Sequence, residues 1–482
     1  MTTLLALAPL LLVVGLLASG RATALGAGLA GLGATLAVAV LVLAASGELL
    51  AREVPAGLWL SWHVIAIIGA GMFFHRCMLA REVTRGKSVA NEAAATSRRL
   101  WPVCFLLAPF AESVTGFGIG YILALAALRR LGLSGLPALV LGLYSQSLVP
   151  WGALAIGSTV GATLAGMSLN EMGVASALLQ VPIHLFYLLL YWRFARDAGV
   201  PVPTGQKIDD AVWTALLLGT IWLFNRYSDA EIAGAAATAL LLALRFWRDE
   251  RPDGARLAAA LRAHAPYVVL TLVLCATRLV PPLRDLLKPL WALKPYDNQP
   301  AFALFYTPAF WLVAIGIVVA LTARTSLAKL AGEAAKGAWR ACAVTLAFVI
   351  MAELYVGTGM AEAIAETLRA AAGRGAALSV PLFAAIGGFL TGSGAGGNAM
   401  LMPMVTALAR AVEVEATWVA AVQNSICTNL TMLSPIRVSM GIALLGLAGG
   451  DSALYRRAWA LALPSIVVGV AAIALLLYAP PA

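Results

Sequence analysis

Charged side chains are scarce in this chain: they make up 12% of its 482 residues, against about a quarter in soluble domains. So little charge excludes an ordinary soluble domain. Cysteine is sparse as well. Cys77, Cys104, Cys275, Cys342 and Cys427 are odd in number and scattered, with no CxxC pair, so neither a disulfide framework nor a zinc site is indicated. The four histidines, His63, His75, His184 and His264, are isolated. A lone histidine on an apolar face is more often a structural hydrogen-bonder than a proton relay, and none is assigned a role. HExxH is absent, as are the clustered aspartates on which metal-dependent lipid and prenyl transferases rely, and no Ser–His pair stands out. These gaps argue against a membrane-embedded enzyme. No loop is long enough for a soluble signalling domain, which argues against a sensor subunit.

What is present is hydrocarbon. Hydrophobic residues make up 61% of the chain, and mean hydropathy is +0.89. A spanning helix needs about 20 apolar residues. Candidate spans lie near 2–20, 24–46, 57–76, 136–165, 174–192, 211–224, 229–244, 265–280, 301–322, 341–357, 416–440 and 459–479. The stretches 101–128 and 379–409 are also apolar, but glycine breaks both. The expected fold is an all-α polytopic membrane protein of about 12 transmembrane helices plus two re-entrant helical hairpins.

The net charge of +10 is read as a topology signal and not as a nucleic-acid footprint. Basic residues gather in Arg76 to Arg99, Arg193 to Lys207, Arg245 to Arg262 and Arg324 to Arg340, which the positive-inside rule assigns to the cytoplasm. No basic residue precedes the first apolar stretch and Arg21 follows it, the reverse of a cleavable signal peptide. It is read as a first span with its N-terminus outside. If each hairpin leaves on the side it enters, both termini lie outside. The first hairpin then enters from the cytoplasm and the second from the opposite face.

That opposition fits a repeat. In "FAESVTGFGIG" (110–120), Thr115-Gly116-Phe117-Gly118 aligns with Thr391-Gly392-Ser393-Gly394 of "FLTGSGAGGN" (389–398). Further on, "YSQSLVPWG" (144–152) can be laid on "VQNSICTNL" (422–430), pairing Gln146 with Asn424 and Ser147 with Ser425. "GSTVG" (157–161) then corresponds to "LSPIR" (433–437). Polar, glycine-rich phrases at matching offsets and in opposite orientations mark an inverted-repeat transporter. The expected organisation is an N-terminal repeat over 1–210, linking helices over 211–300 and a C-terminal inverted repeat over 301–482. Non-helical backbone is tolerated at membrane depth only where protein or water surrounds it. Helices broken there turn their N-terminal N–H groups, with partial positive charge, toward the centre, a place that suits an anion. A run as dense as GSGAGG beside Asn398 makes a very poor helix.

The aspartates fall in predicted loops or at their edges, and among the glutamates only Glu112 and Glu353 lie within predicted membrane segments. An ionisable residue there usually faces the bundle interior or a pathway, and burial in general favours the neutral carboxyl, which suits a group that takes up and releases a proton. Glu112, at a hairpin tip, is the first candidate for proton coupling. Glu353, in "MAELYVGTGM", is either a second or a residue at a span end. Arg437 is the one cation in the second polar tract, and a planar guanidinium can grip a carboxylate with two N–H donors; the alternative is an arginine snorkelling to the interface. Gln146, Gln423, Asn424 and Asn429 either hold substrate oxygens or bridge helices. Trp151, beside Pro150, either lines a pocket or sits at an interface.

At these residues the chain resembles the lactate permease family, proton-coupled carriers of lactate, glycolate and related 2-hydroxy monocarboxylates. Family members show an acidic residue, a glycine, two small residues, then Gly-Phe-Gly and a Thr-Pro or Ala-Pro. Glu112, Gly116, Phe117 and Gly118 match at the same spacing; Ser113 replaces the first glycine and Ile119-Gly120 the closing pair. Of the second phrase, Thr-Gly-Ser-Asn-Thr-x-Ser-Asn, Thr391, Gly392, Ser393 and Asn398 match, while Gly394, Ala395 and Gly397 differ. The family's Ile-Ser-Pro is kept as Leu433-Ser434-Pro435. The resemblance implies an ion-transporter-like fold in which each inverted repeat gives a hairpin and a broken helix to a central site.

The resulting expectation is a bacterial inner-membrane importer of a small organic anion by proton symport, with no cofactor and with lipid around it. A homo-oligomer is possible on this reading. The substrate site is expected at Thr115, Gly116, Phe117, Gly118, Gln146, Thr391, Gly392, Ser393, Asn398, Gln423, Asn424, Ser434 and Arg437. The alternative is a sodium-coupled carboxylate or other anion carrier of the same architecture, with broken-helix carbonyls, Thr115, Thr391 and Asn398 cradling Na⁺. A channel would not require two oppositely inserted hairpins.

Overall fold

In hydrocarbon there is no water to satisfy backbone N–H and C=O groups, so long apolar runs must pair them internally, as helices do. The computed structural model describes residues 2–85, 95–447 and 449–478 and is 84% helical. Its only sheet among the described residues is a two-stranded pair, Ala292–Leu293 with Phe302–Ala303. Residues 86–94 of the first basic loop lie outside the described residues.

Eight helices among the described residues are long and apolar enough to cross a membrane, and a ninth span arises if the pair Gly135–Gln146 and Val149–Ala165, bent by 54°, counts as one. Leu5–Ala18 and Pro308–Thr322 are apolar but shorter. The count falls short of about 12 for local reasons. Thr204–Tyr227, where a span was expected over 211–224, is a single helix that carries Lys207, Asp209 and Asp210 in its first two turns. The span expected over 416–440 is interrupted: Ala416–Leu430 and Pro435–Leu445 are separated by a 3₁₀ turn, Thr431–Leu433, and by Ser434.

Both glycine-broken stretches fold as pairs of short helices. Ala108–Thr115 and Ile119–Arg130 pack against one another around residues 116–118, and Val380–Thr391 packs on Gly394–Ala411 around Gly392 and Ser393. The same order of elements frames each pair. A long helix lies before it, Gly47–Arg85 or Leu327–Gly357, with Met360–Ala372 intervening in the second half, and the two long helices pack together along their lengths. A broken span follows it, and then a further helix, Leu169–Asp197 or Leu463–Tyr478.

Polar ties sort the loops onto two ends of the bundle. At one end Arg81 donates to the carbonyls of Arg262 and Ala263, and Arg98 pairs with Asp249, which with Asp209 also holds Arg245. At the other, Trp59 donates to Pro300, Gln299 to Glu353, and Arg278 pairs with Glu231. Three of the four basic loops expected on one side, near 76–99, 193–207 and 245–262, gather at the first end.

Candidate substrate-binding site

At the first tip the chain reverses through three consecutive residues in the left-handed region, Gly116 (φ 70°), Phe117 (φ 56°) and Gly118 (φ 81°). The turn brings the start of Ile119–Arg130 back onto Glu112, whose carboxylate accepts hydrogen bonds from the backbone N–H of Gly118 and of Gly120, each at 3.0 Å. The carboxylate is therefore seated on a helix N-terminus, where orphan N–H groups and the macrodipole both favour an anion. Glu112 is 3% exposed. Thr115 does not reach into this cradle; its hydroxyl donates to Ala111 O, one turn back on its own helix.

Arg437 arrives from the other half of the chain. Ser434 caps Pro435–Leu445 by accepting from the N–H of Arg437, which fixes that residue in the first turn. Its side chain points to the first tip: Nη2 lies 3.5 Å from Glu112 Oε1, and an added Cβ at Gly118 would run into the guanidinium. Glycine at 118 thus supplies both the positive φ and the space for the arginine. The two membrane-depth charges, expected to act separately on proton and substrate, form one buried ion pair across the two halves. Arg437 is 8% exposed and does not snorkel. Its Nε has no hydrogen-bond partner.

The second tip is built alike. Thr391 donates to Gly387 O, and Gly392 adopts φ 61° and abuts Ser434. Ser393 caps the following helix by accepting from Gly396 N–H. That helix start meets the first broken span backbone to backbone: a Cβ on Gly157 would lie 2.9 Å from the carbonyl carbon of Gly394. Beside this contact Asn398 donates to Gly157 O at 2.9 Å and to Asn424 Oδ1 at 2.8 Å. Asn424 in turn donates to Ser158 and Ser176. Asn424 is therefore the hub that joins the second hairpin to both the first broken span and Leu169–Asp197.

Other expected residues are placed differently. Asn429 belongs to a separate cluster, in which its amide donates to Ser465 at 3.1 Å and faces Gln180. Gln146 donates to Ser145, while its Oε1, Ser147 Oγ, Ser425 Oγ, both amide atoms of Gln423 and Asn398 Oδ1 are buried without a partner. Glu353 is remote from Glu112: it accepts from Gln299 Nε2 at 2.8 Å in the outer turns of Leu327–Gly357. Trp151 is buried and donates to Asn225, so it anchors the first broken span and is not an interfacial tryptophan.

Residues 292–479 match the family model described as L-lactate permease. Over that part, less than half of its length, the chain is similar to the lactate permease family. No curated protein matches it. The matched part holds the second hairpin, the second broken span and Arg437; Glu112 and the first hairpin lie before it. The family matched there is one of transporters, and the long apolar helices make the chain a multi-pass membrane protein.

Sequence reading missed three features of this protein. Ser158 and Ser176 look like ordinary small residues, and only the fold brings them to Asn424. The first broken span turns through Ala153 (φ 47°), Leu154 (φ 55°) and Ala155 (φ 60°), a left-handed turn made without glycine, at about 1–2 kcal/mol per residue. No local signal announces it; Gly152 precedes it in an extended conformation. The pairing of the two polar phrases is also out of step with the breaks. Gln146 lies within the first break, between Leu143 and Trp151, whereas Asn424 sits in regular helix two turns before the second. The 3₁₀ turns Val149–Trp151 and Thr431–Leu433 are the corresponding points.

Proposed function

We propose that this chain is a secondary active importer of a small organic anion, a 2-hydroxy monocarboxylate such as lactate or glycolate, coupled to protons. The reading takes the two halves as inverted-topology repeats whose tips are re-entrant and meet at mid-membrane. The observation that carries it is the Glu112–Arg437 pair seated on a helix N-terminus. Every partner of the Glu112 carboxylate is a donor, so the protein already holds a carboxylate where an incoming one would bind.

A substrate carboxylate competes for Arg437 and for the N–H groups of Gly118 and Gly120. Glu112, displaced from Arg437 by that anion and returning to it on release, is the group to which proton coupling is assigned. Asn398, Asn424 and the unpartnered amide of Gln423 supply donors and acceptors for the rest of the substrate. Two broken helices abutting at glycines give the site parts that can separate to either side.

A sodium-coupled carrier is the second reading. The observation in its favour is at the second tip, where the carbonyls of Gly387 and Ser393 both lie within reach of the Thr391 hydroxyl, at 2.7 and 3.0 Å.

Purified protein in liposomes, given a proton or a sodium gradient with lactate, glycolate, pyruvate and dicarboxylates in turn, tests both. Proton-driven lactate or glycolate uptake supports the first reading. Glu112→Gln should then abolish accumulation driven by a pH gradient but spare lactate exchange. Full pH dependence in that variant removes Glu112 from the coupling. Uptake driven by sodium alone favours the second reading, no monocarboxylate uptake under either gradient refutes the first, and no uptake of any of these anions refutes both.

A further inference from the structure

Two cavities lie side by side, and Trp459 lines both. One, of about 400 Å³, is bordered by Arg193, Arg456 and Arg457, with Asp197 the single acid on its wall. All four side chains are exposed and carry no ion pair or hydrogen bond among the described residues. The other, of about 350 Å³, is lined by apolar and aromatic side chains, among them Phe389, Leu430, Leu433 and Tyr455. Trp459, 56% exposed, forms the ridge between them.

We infer that this pair of grooves binds one anionic phospholipid, headgroup in the basic cavity and an acyl chain in the apolar one. The basic cavity sits at the end of the bundle where the basic loops gather, the level of a lipid phosphate. The apolar one adjoins it at Trp459 and reaches Leu433, whose carbonyl accepts from Tyr455 at 3.1 Å. Three unpaired arginines against one aspartate leave a net positive cavity. Basic pockets between membrane helices on one side of the bilayer hold anionic headgroups in this way. Tryptophan suits the junction, being apolar with one polar atom. A dicarboxylate or free phosphate would match the arginines but leave the apolar groove unexplained.

The lipid would bear on function through position. Leu430 and Leu433 flank the break of the second broken span, and Ser434 and Arg437 follow at once. An acyl chain packed on them fixes that break. The inference concerns lipid binding and stands whether or not the proposed substrate is right.

The test is retention of lipid by the purified protein in nanodiscs and then in detergent. Phosphatidylglycerol and phosphatidylcholine are offered in equal amounts and counted by native mass spectrometry. One phosphatidylglycerol should stay bound in preference to phosphatidylcholine, and each of Arg193→Gln, Arg456→Gln and Arg457→Gln should lower that preference roughly fivefold. Phosphatidylglycerol brominated in its acyl chains should quench the fluorescence that Trp459→Phe removes, a readout that needs no arginine variant. Amide exchange over residues 430–437 should slow when phosphatidylglycerol is bound. Equal retention of the two lipids, an undiminished preference in the arginine variants, or binding of glycerol phosphate without its chains overturns the site. A variant that alters the mass of the assembly and not lipid retention assigns this face to a second copy of the chain. Unchanged exchange at 430–437 overturns the link to the broken span.

Discussion

The pair formed by Glu112 and Arg437 should reveal itself in an asymmetric double-mutant cycle. Breaking a buried ion pair by removing one partner costs about 3–5 kcal/mol, but the two partners are not equally provided for. Arg437→Gln leaves Glu112 with both backbone donors, Gly118 and Gly120 at 3.0 Å, and with a helix N-terminus worth up to about 2 kcal/mol. Its cost should therefore fall to about 1–3 kcal/mol. Glu112→Gln strands a guanidinium whose Nε is already without a partner. It also turns an amide NH₂ toward one of two backbone N–H donors, adding an unsatisfied group at about 1–3 kcal/mol. Its cost should be about 4–8 kcal/mol. The double substitution should cost less than the sum by about 1–3 kcal/mol, since the second change removes a charge that the first left unpaired. The assay is unfolding of purified variants by SDS in mixed micelles, followed by helical circular dichroism. Additivity within about 0.5 kcal/mol, or a larger loss for Arg437→Gln than for Glu112→Gln, would refute the pairing.

Other outcomes follow from the same contacts. Gly157→Val should destabilise by about 1–3 kcal/mol and block uptake, because its Cβ would press on the backbone of Gly394, which cannot yield as a side chain can; a fully active, fully stable variant in a thermal shift and uptake assay contradicts this. Asn424→Leu should cost about 1–3 kcal/mol for each buried partner it orphans among Asn398, Ser158 and Ser176, and should raise the apparent KM for uptake; unchanged KM would make the network structural alone. Ala155→Gly should be neutral or stabilising by up to about 1 kcal/mol, since relief of the left-handed turn outweighs one lost methyl; a loss of about 1 kcal/mol, as in an ordinary helix, would argue against the turn. Glu353→Gln should leave the pH dependence of uptake unchanged, because Glu353 faces Gln299 and not the tips; a shifted profile would return it to the coupling path.

Much of this architecture was legible in the chain. Poverty of charge, long apolar runs and basic loops determine a helical membrane protein, because lipid leaves unpaired backbone no other solution. The two glycine-rich phrases mark both tips, and the resemblance to lactate permeases was readable in the phrase at Thr391 to Asn398 and in Ser434-Pro435, within the part that the family model matches. Those signals are local: they rest on what a residue does to its own backbone or to its solvent.

What tertiary structure alone decided are the relations between distant segments. Glu112 and Arg437 are 325 positions apart, and each alone had two plausible roles; only the crossing of a tip with the opposite broken span makes them partners. The same crossing gives Asn424 its serines and sends Glu353 to a span end. The left-handed turn at Ala153 to Ala155 has no glycine to announce it, since it is held by packing against Gly116 and not by local preference. Backbone tendencies and solvent preference act within a few residues and can be read in order along the chain. Charge pairing, close approach and strain depend on which surfaces meet, and that is set only when the helices pack.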